Sequence, residues 1–371
     1  MSQQQWGGPS PYASQGFRQP SFGPGPAYGG QPGPGLPYGP PGYGPPGYGP
    51  PGYGPHGYGL PPNMPAPRRR NPLKLLLLGM IGVALFAILG LVVLGAAVTQ
   101  TTEVAFQNDD YQVPPPDANP PPIPIPETYE EAEAIVTSSP FYDQTVPAPV
   151  RCTTQPINVG TASDAQLKSH FEGVMECLVR VWQPPVTAAQ LILVRPSVTI
   201  YGDELTTKCG TSKVNAFYCA ADQQIYYSNR LPDAIPIVAE DKWAAQVVMA
   251  HEFAHAIQGR TGILISAKAL GQNAGDEATD LLFTRRLETQ ADCLSGMFIR
   301  SVTASLGVRN SDLEGIYATY EAIGDDVLSG DPNVVGNHGL ARSRRFWGNT
   351  GVVNGAVAAC NTFIVPKSQV R

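Results

Sequence analysis

From Leu75 to Val98 the chain carries no charged residue, and the run is apolar on every helical face. A surface helix of a globular domain shows an apolar stripe beside a polar one, so this run cannot be an ordinary core-facing helix. As a helix it is long enough to cross a hydrocarbon layer of about 30 Å. Arg68, Arg69, Arg70 and Lys74 precede it; Glu103, Asp109 and Asp110 follow, and no basic residue returns before Arg151. Basic residues collect on the cytoplasmic side of a span. The expectation is therefore a basic flank and transmembrane helix over 68–98, with a cytoplasmic N-terminus and everything beyond residue 98 outside the cell membrane. A signal peptide would lie near the N-terminus with a shorter apolar region, and Gly95-Ala96-Ala97 is a weak cleavage site.

The segments on either side of the run read differently from each other. Over 1–67 a five-residue unit, Gly-Pro-Pro-Gly-Tyr, recurs around Tyr38, Tyr43, Tyr48, Tyr53 and Tyr58. A period of five excludes collagen, and the near absence of aliphatic residues excludes a packed core, so this arm is expected to be disordered. Its tyrosines and prolines could recruit proteins, or it could be a plain flexible tail. Over 99–149, Pro114-Pro115-Pro116, Pro120-Pro121-Pro122 and Pro124-Ile125-Pro126 predict a stiff, extended extracytoplasmic linker. One short helix is expected over 127–135. The net charge of -6 is mild, and basic and aromatic residues do not interleave, which argues against nucleic acid as a partner.

All six cysteines, at 152, 177, 209, 219, 293 and 360, follow the apolar run. An even number confined to the exported part fits disulfides formed in an oxidising compartment. Sequence does not choose among the pairings; joining neighbours gives Cys152 with Cys177, Cys209 with Cys219, and Cys293 with Cys360. A zinc site built from cysteine would need closely paired ligands, and no Cys-x-x-Cys occurs.

From about residue 150 to 371 the composition is that of a single globular domain. Helical periodicity covers 165–181, 241–258, 279–302 and 311–323, with one or two further helices after Gly339. One or two short strands are expected over 191–201, and Ala216-Phe217-Tyr218-Cys219 followed by Gln224-Ile225-Tyr226-Tyr227 reads as a hairpin. A small sheet followed by a helical body implies an α+β fold.

The helix over 241–258 carries His251-Glu252-Phe253-Ala254-His255. Two histidines four residues apart emerge from one helical face, one turn from each other, and the adjacent Glu252 sits where a base would act on a metal-bound water. Only five histidines occur, at 56, 170, 251, 255 and 338, so chance pairing around a glutamate is a poor explanation. The flanks are apolar, and buried imidazoles need polar partners, which a metal supplies. The motif reads as a zinc hydrolase signature.

A catalytic zinc needs a third protein ligand and an open position. The extended metzincin pattern would place glycine at position 258 and histidine at position 261; Gln258 and Thr261 stand there, so that class is excluded. Glu288, in Glu288-Thr289-Gln290-Ala291-Asp292, is the preferred ligand on a later helix. Asp292, one turn on, would then accept the second ring N–H of a ligating histidine. The same pair also fits two solvated helix charges. Asp276, Glu277 and Asp280 fall in a polar stretch that reads as a loop and are weaker candidates. His338 is a candidate donor to a tetrahedral intermediate, or equally a helix-start histidine with a satisfied hydrogen bond. Arg342, Arg344 and Arg345 read as a solvated helix face, one of which could bind a substrate carboxylate. Tyr226 and Tyr227 could line a cleft or simply pack.

The histidine motif, Glu288 to Asp292, His338-Gly339, the segment Ala359-Cys360-Asn361-Thr362-Phe363, and Cys209-Gly210 with Phe217-Tyr218-Cys219 together resemble the bacterial putative neutral zinc metallopeptidase family over roughly 140–371. The resemblance implies a zincin-like fold, one catalytic zinc ion and a membrane-anchored arrangement in many members. The resulting expectation is a membrane-anchored metallopeptidase that cleaves protein or peptide substrates outside the cytoplasm. Zinc would be held by His251, His255 and Glu288, with its bound water activated by Glu252. The alternative is a non-catalytic zinc-containing module that binds a partner outside the cytoplasm.

Overall fold

The computed structural model describes residues 72–98 and 105–371, which belong to two units divided between Glu103 and Val104. The arm over 1–67, with its expected disorder and protein recruitment, lies outside the described residues. In the first unit Pro72–Val98 forms one helix, α1, of 27 residues. Its side chains are described at 73, 74 and 76–89, and the large apolar ones among them are exposed, Phe86 to 81%. Among the described residues no helix is long and apolar enough to cross a membrane.

The second unit is α+β, mainly helical with a small sheet. Its helices are α2 (Tyr129–Ser138), α3 (Asp164–Ala188), α4 (Leu231–Ala234), α5 (Ile237–Glu240), α6 (Ala244–Arg260), α7 (Ile263–Asn273), α8 (Glu277–Leu306), α9 (Leu313–Ala322), α10 (Asp325–Ser329) and α11 (Ala341–Val353). Five short strands lie between α3 and α4: β1 (Val198–Tyr201), β2 (Glu204–Thr207), β3 (Gly210–Lys213), β4 (Ala216–Cys219) and β5 (Gln224–Ser228). One sheet has the order β1-β5-β4, with β1 parallel and β4 antiparallel to β5; β2 and β3 form a separate antiparallel ribbon. The strand β4 is thus an edge. Cys209–Cys219 ties the ribbon to it, while Cys152–Cys177 and Cys293–Cys360 complete the disulfides, the neighbour-to-neighbour set.

Local chemistry accounts for the helix boundaries. Ser163 and Gln166 form a reciprocal capping box that starts α3. The helix then runs to Ala188, seven residues past its expected end, through Pro184 and Pro185. A proline there cannot donate to the carbonyl four residues back; Asn108 Nδ2 donates to Arg180 O instead, at 2.8 Å. Asp276 caps α8 by accepting from Thr279 N at 2.9 Å, and Glu277 and Asp280 occupy its first turn. Those three acids therefore serve a helix N-terminus, where negative charge is favoured, and do not lie in a loop.

The Pro-rich segment departs most from expectation. It is not a free spacer but a strap laid across the folded unit. Arg195 Nη1 donates to Pro114 O, Gln223 Nε2 to Pro121 O, and Arg260 Nη1 to both Pro121 O and Pro122 O. Proline-rich chain offers carbonyls without matching N–H donors, so buried guanidinium and amide groups are its natural partners. The folded unit consequently begins near residue 104 rather than 150.

The helix α6 lies at the centre. Every residue in it except His255 is buried, which suits a helix flanked by α3, α7, α8 and β4 rather than one on a surface. The helices α8 and α11 meet unusually closely: a Cβ at Gly351 would lie 1.8 Å from Cys293 O, and one at Gly296 would lie 2.2 Å from Gly348 O. Only glycine permits this approach, and it brings the later turns of α11 against the middle of α8.

Candidate metal centre

The middle of α6 faces the middle of α8, and there His251, His255 and Glu288 converge, each offering one donor atom within 4.8 Å of the others. The Nε2 atoms of the two histidines are 3.1 Å apart. Glu288 Oε2 lies 3.3 Å from His251 Nε2, and Glu288 Oε1 lies 3.6 Å from His255 Nε2. Three ligands around a tetrahedral zinc with bonds of about 2.0–2.1 Å would stand about 3.3 Å from one another. The donor set therefore fits one zinc-sized ion.

The hydrogen bonds behind the histidines explain why their Nε2 atoms face each other. His251 Nδ1 lies 2.9 Å from Asp292 Oδ1, and His255 Nδ1 lies 2.8 Å from Gln258 Oε1. Gln258 Nε2 donates to Leu287 O and Gln290 Oε1, so the orientation of its amide leaves Oε1 toward His255. Both Nδ1 atoms are therefore placed to carry hydrogen, so that both Nε2 atoms can offer lone pairs to an ion at the same point. Two lone pairs at that separation repel unless a proton or a metal cation lies between them.

Electrostatics point the same way. Burial lowers the His251 imidazole, but hydrogen bonds to Asp292 and Glu288 outweigh it and raise the group to about 10. Burial raises the Glu288 carboxyl, but the neighbouring His255 and His251 hold it well below the ordinary carboxylate range. Such a pocket stabilises positive charge wherever it can find it. Glu252 is 7% exposed, burial pushes its carboxyl up, and its Oε2 accepts from Tyr218 N at 2.9 Å.

These groups open into a cleft of about 360 Å³, which His338 and Arg344 also line. His338 Nδ1 is 3.2 Å from Asp325 Oδ1, while Asp325 Oδ2 accepts from the backbone of His338 and Gly339. Arg344 corrects the expectation of a solvated helix face. It is 1% exposed, and its Nη2 donates to Asp292 Oδ1 at 2.8 Å, because the glycine contact with α8 brings α11 inward. Arg342 is exposed, and Arg345 pairs with Glu314 and Glu321. Tyr226 and Tyr227 pack rather than line the cleft: Tyr226 stacks on Phe217, and Tyr227 lies 4.5 Å from Phe171 between ring centroids.

Sequence reasoning missed Gln258, Arg344, Asp325 and the Tyr218 backbone. Gln258 was discoverable, since a residue three positions after His255 shares its helical face. Nothing local marks the other three, whose roles arise from contacts across the fold.

Fold and site define a class: a helical α+β domain with a His-x-x-x-His helix, a glutamate on a facing helix, and a buried carboxylate beside the first histidine. The model of the family described as putative neutral zinc metallopeptidase matches residues 137–363, more than half of the chain, and the chain belongs to that family. It is similar to the uncharacterized protein YpfJ of Escherichia coli, 32% identical over 178 residues, or 46% of this chain and 62% of the relative. It is also similar to the uncharacterized proteins Mb2605 of Mycobacterium bovis and Rv2575 of Mycobacterium tuberculosis. Each is 27% identical over 206 residues, or 49% of this chain and 66% of the relative. The chain thus spans less than two thirds of the length of these relatives. No solved structure matches.

Proposed function

We propose that this protein is a zinc-dependent endopeptidase of the zincin-like type, with His251, His255 and Glu288 as metal ligands and Glu252 as the base. The convergence of three donor atoms beside Glu252 in an open cleft carries this reading. A structural zinc site usually closes with four protein ligands; among the described residues three gather here, which favours chemistry over a structural or purely binding role. When bound, the ion supplies a Lewis acid that polarises a carbonyl and makes water nucleophilic near neutral pH.

The chain's own residues do the rest. Tyr218 N holds one oxygen of Glu252, leaving the other to take a proton from the attacking water and pass it to the leaving amine. Asp292 orients His251 and is itself held by Arg344. His338 has Nδ1 engaged by Asp325, which leaves Nε2 to meet a substrate oxygen. The substrate is a polypeptide, because β4 is a sheet edge that lines the cleft, and such edges accept extended chains.

We also propose that α1 anchors the protein in the cell membrane, with the catalytic unit outside. The uncharged run to Val98, the basic residues before it and the three disulfides after it support this. The test is zinc content and cleavage of an unstructured protein by the purified full chain, with Glu252→Gln alongside. We expect that variant to keep its zinc and lose cleavage by about a hundredfold or more; undiminished cleavage would remove Glu252 from the mechanism. Protease protection of tagged termini in intact cells reads the orientation.

A further inference from the structure

A second cavity, of about 730 Å³, is lined by residues that neighbour the cleft's lining residues along the chain. Three chain segments that wall the cleft continue into it: Cys209 gives way to Lys208, Tyr218 to Ala220 and Ala221, and Leu264 to Ile265. The edge strand β4 therefore runs out of the cleft and, through its turn, into this cavity. The strap also walls it, through Pro122 and Ile125 among others. Buried Gln223 and Arg260 grip the strap's carbonyls, so this wall is a fixed part of the fold. It lies outside the family-matched residues, which begin at 137. Glu252 is tied to Tyr218 N on β4, and Ala221 lies three residues further along, in the turn that leads to β5.

We propose that this second cavity is a distal subsite of the peptidase cleft, holding residues of an extended polypeptide beyond those next to the scissile bond. The inference rests on the peptidase reading and deepens it. The preferred substrate is a long extended or unfolded chain, and short peptides, which cannot span both cavities, lose that part of the binding energy. Binding energy gathered away from the reacting bond appears in kcat/KM.

The test uses the zinc-loaded full chain and two quenched peptides with the same central sequence, one of about five residues and one extended at both ends to about fourteen. Ala221→Trp and Gln272→Trp fill the cavity from exposed positions, where folding tolerates them. We expect kcat/KM for the long peptide to exceed that for the short one by about tenfold or more, and both variants to remove most of that advantage while leaving the short peptide unchanged. Equal cleavage of both peptides by the unsubstituted protein overturns the subsite, as does an unchanged length preference in both variants; the peptidase reading survives either result. If the unsubstituted protein cuts neither peptides nor unfolded protein, the peptidase reading falls and the subsite falls with it.

Discussion

At the scale of single residues, the metal-facing histidines depend on partners that stand behind them. Gln258 links His255 to Leu287 O and to Gln290, whose own amide donates to Tyr142 Oη and Cys360 O. Replacing it with leucine removes the acceptor that keeps hydrogen on Nδ1 of His255. Zinc affinity of Gln258→Leu should fall by about 10- to 100-fold, read by competition with a chromophoric chelator, with the fold retained. His170 offers a test remote from the metal. Its Nε2 is buried without a partner, and burial lowers the imidazole to about 4. The unfolded chain binds a proton near pH 6.5 while the folded one does not until about 4, so stability is lost as pH falls through that window. The loss should be on the order of 1–3 kcal/mol, seen as a drop in urea midpoint between pH 7 and 4.5 that His170→Gln flattens. The histidine motif was legible because its spacing is a property of one helix. Arg344 was not, because three arginines in four positions look like a solvated face until α8 closes over one of them.

At the scale of elements, legibility followed how each segment is buried. The helix α6 is apolar over long stretches and was visible, as was the β4–β5 hairpin with its aromatic strands. The helix α7 was missed because it is short and follows α6 after only two residues. The ribbon β2–β3 was missed because both its faces are largely exposed, so no alternation betrays it. The close crossing of α8 and α11 leaves no periodic signature either, yet it places Arg344 on Asp292. Gly351→Ala should therefore act on the site as well as on stability. The added methyl would meet Cys293 O at 1.8 Å, and relieving that clash pushes α11 outward. A cost of about 1–3 kcal/mol is expected for such overpacking, with weaker zinc retention under chelator because Asp292 loses its guanidinium. An alanine that melts like glycine and holds zinc as well would mean that the crossing has slack and does not position Arg344.

At the scale of the whole molecule, the boundary of the working unit is set by the strap and not by the extent of family similarity. Sequence assigned 99–149 to a linker because proline clusters carry no core pattern; the structure shows that such a segment can still be bound through its carbonyls. Arg195 and Arg260 are 7% and 4% exposed, and both spend donors on strap carbonyls. Trimming the chain to the family-matched start at 137 removes those acceptors and also most of α2, which packs on α7. Arg195 would keep Glu172 and Glu176, and Arg260 would keep Ile192 O and Gln223 Oε1, but each would lose its strap acceptors, at about 1–3 kcal/mol for each buried donor left unpaired. A chain of residues 105–371 should accordingly melt cooperatively and match the full protein in zinc content, whereas 137–371 should melt at least about 5 °C lower or fail to fold. Adding the 105–136 peptide in trans should recover part of the difference, because the strap is held by many weak contacts rather than by connectivity. Equal melting of the two chains would show that the strap contributes nothing to the stability of the folded unit, and would make the wall of the second cavity a detachable one.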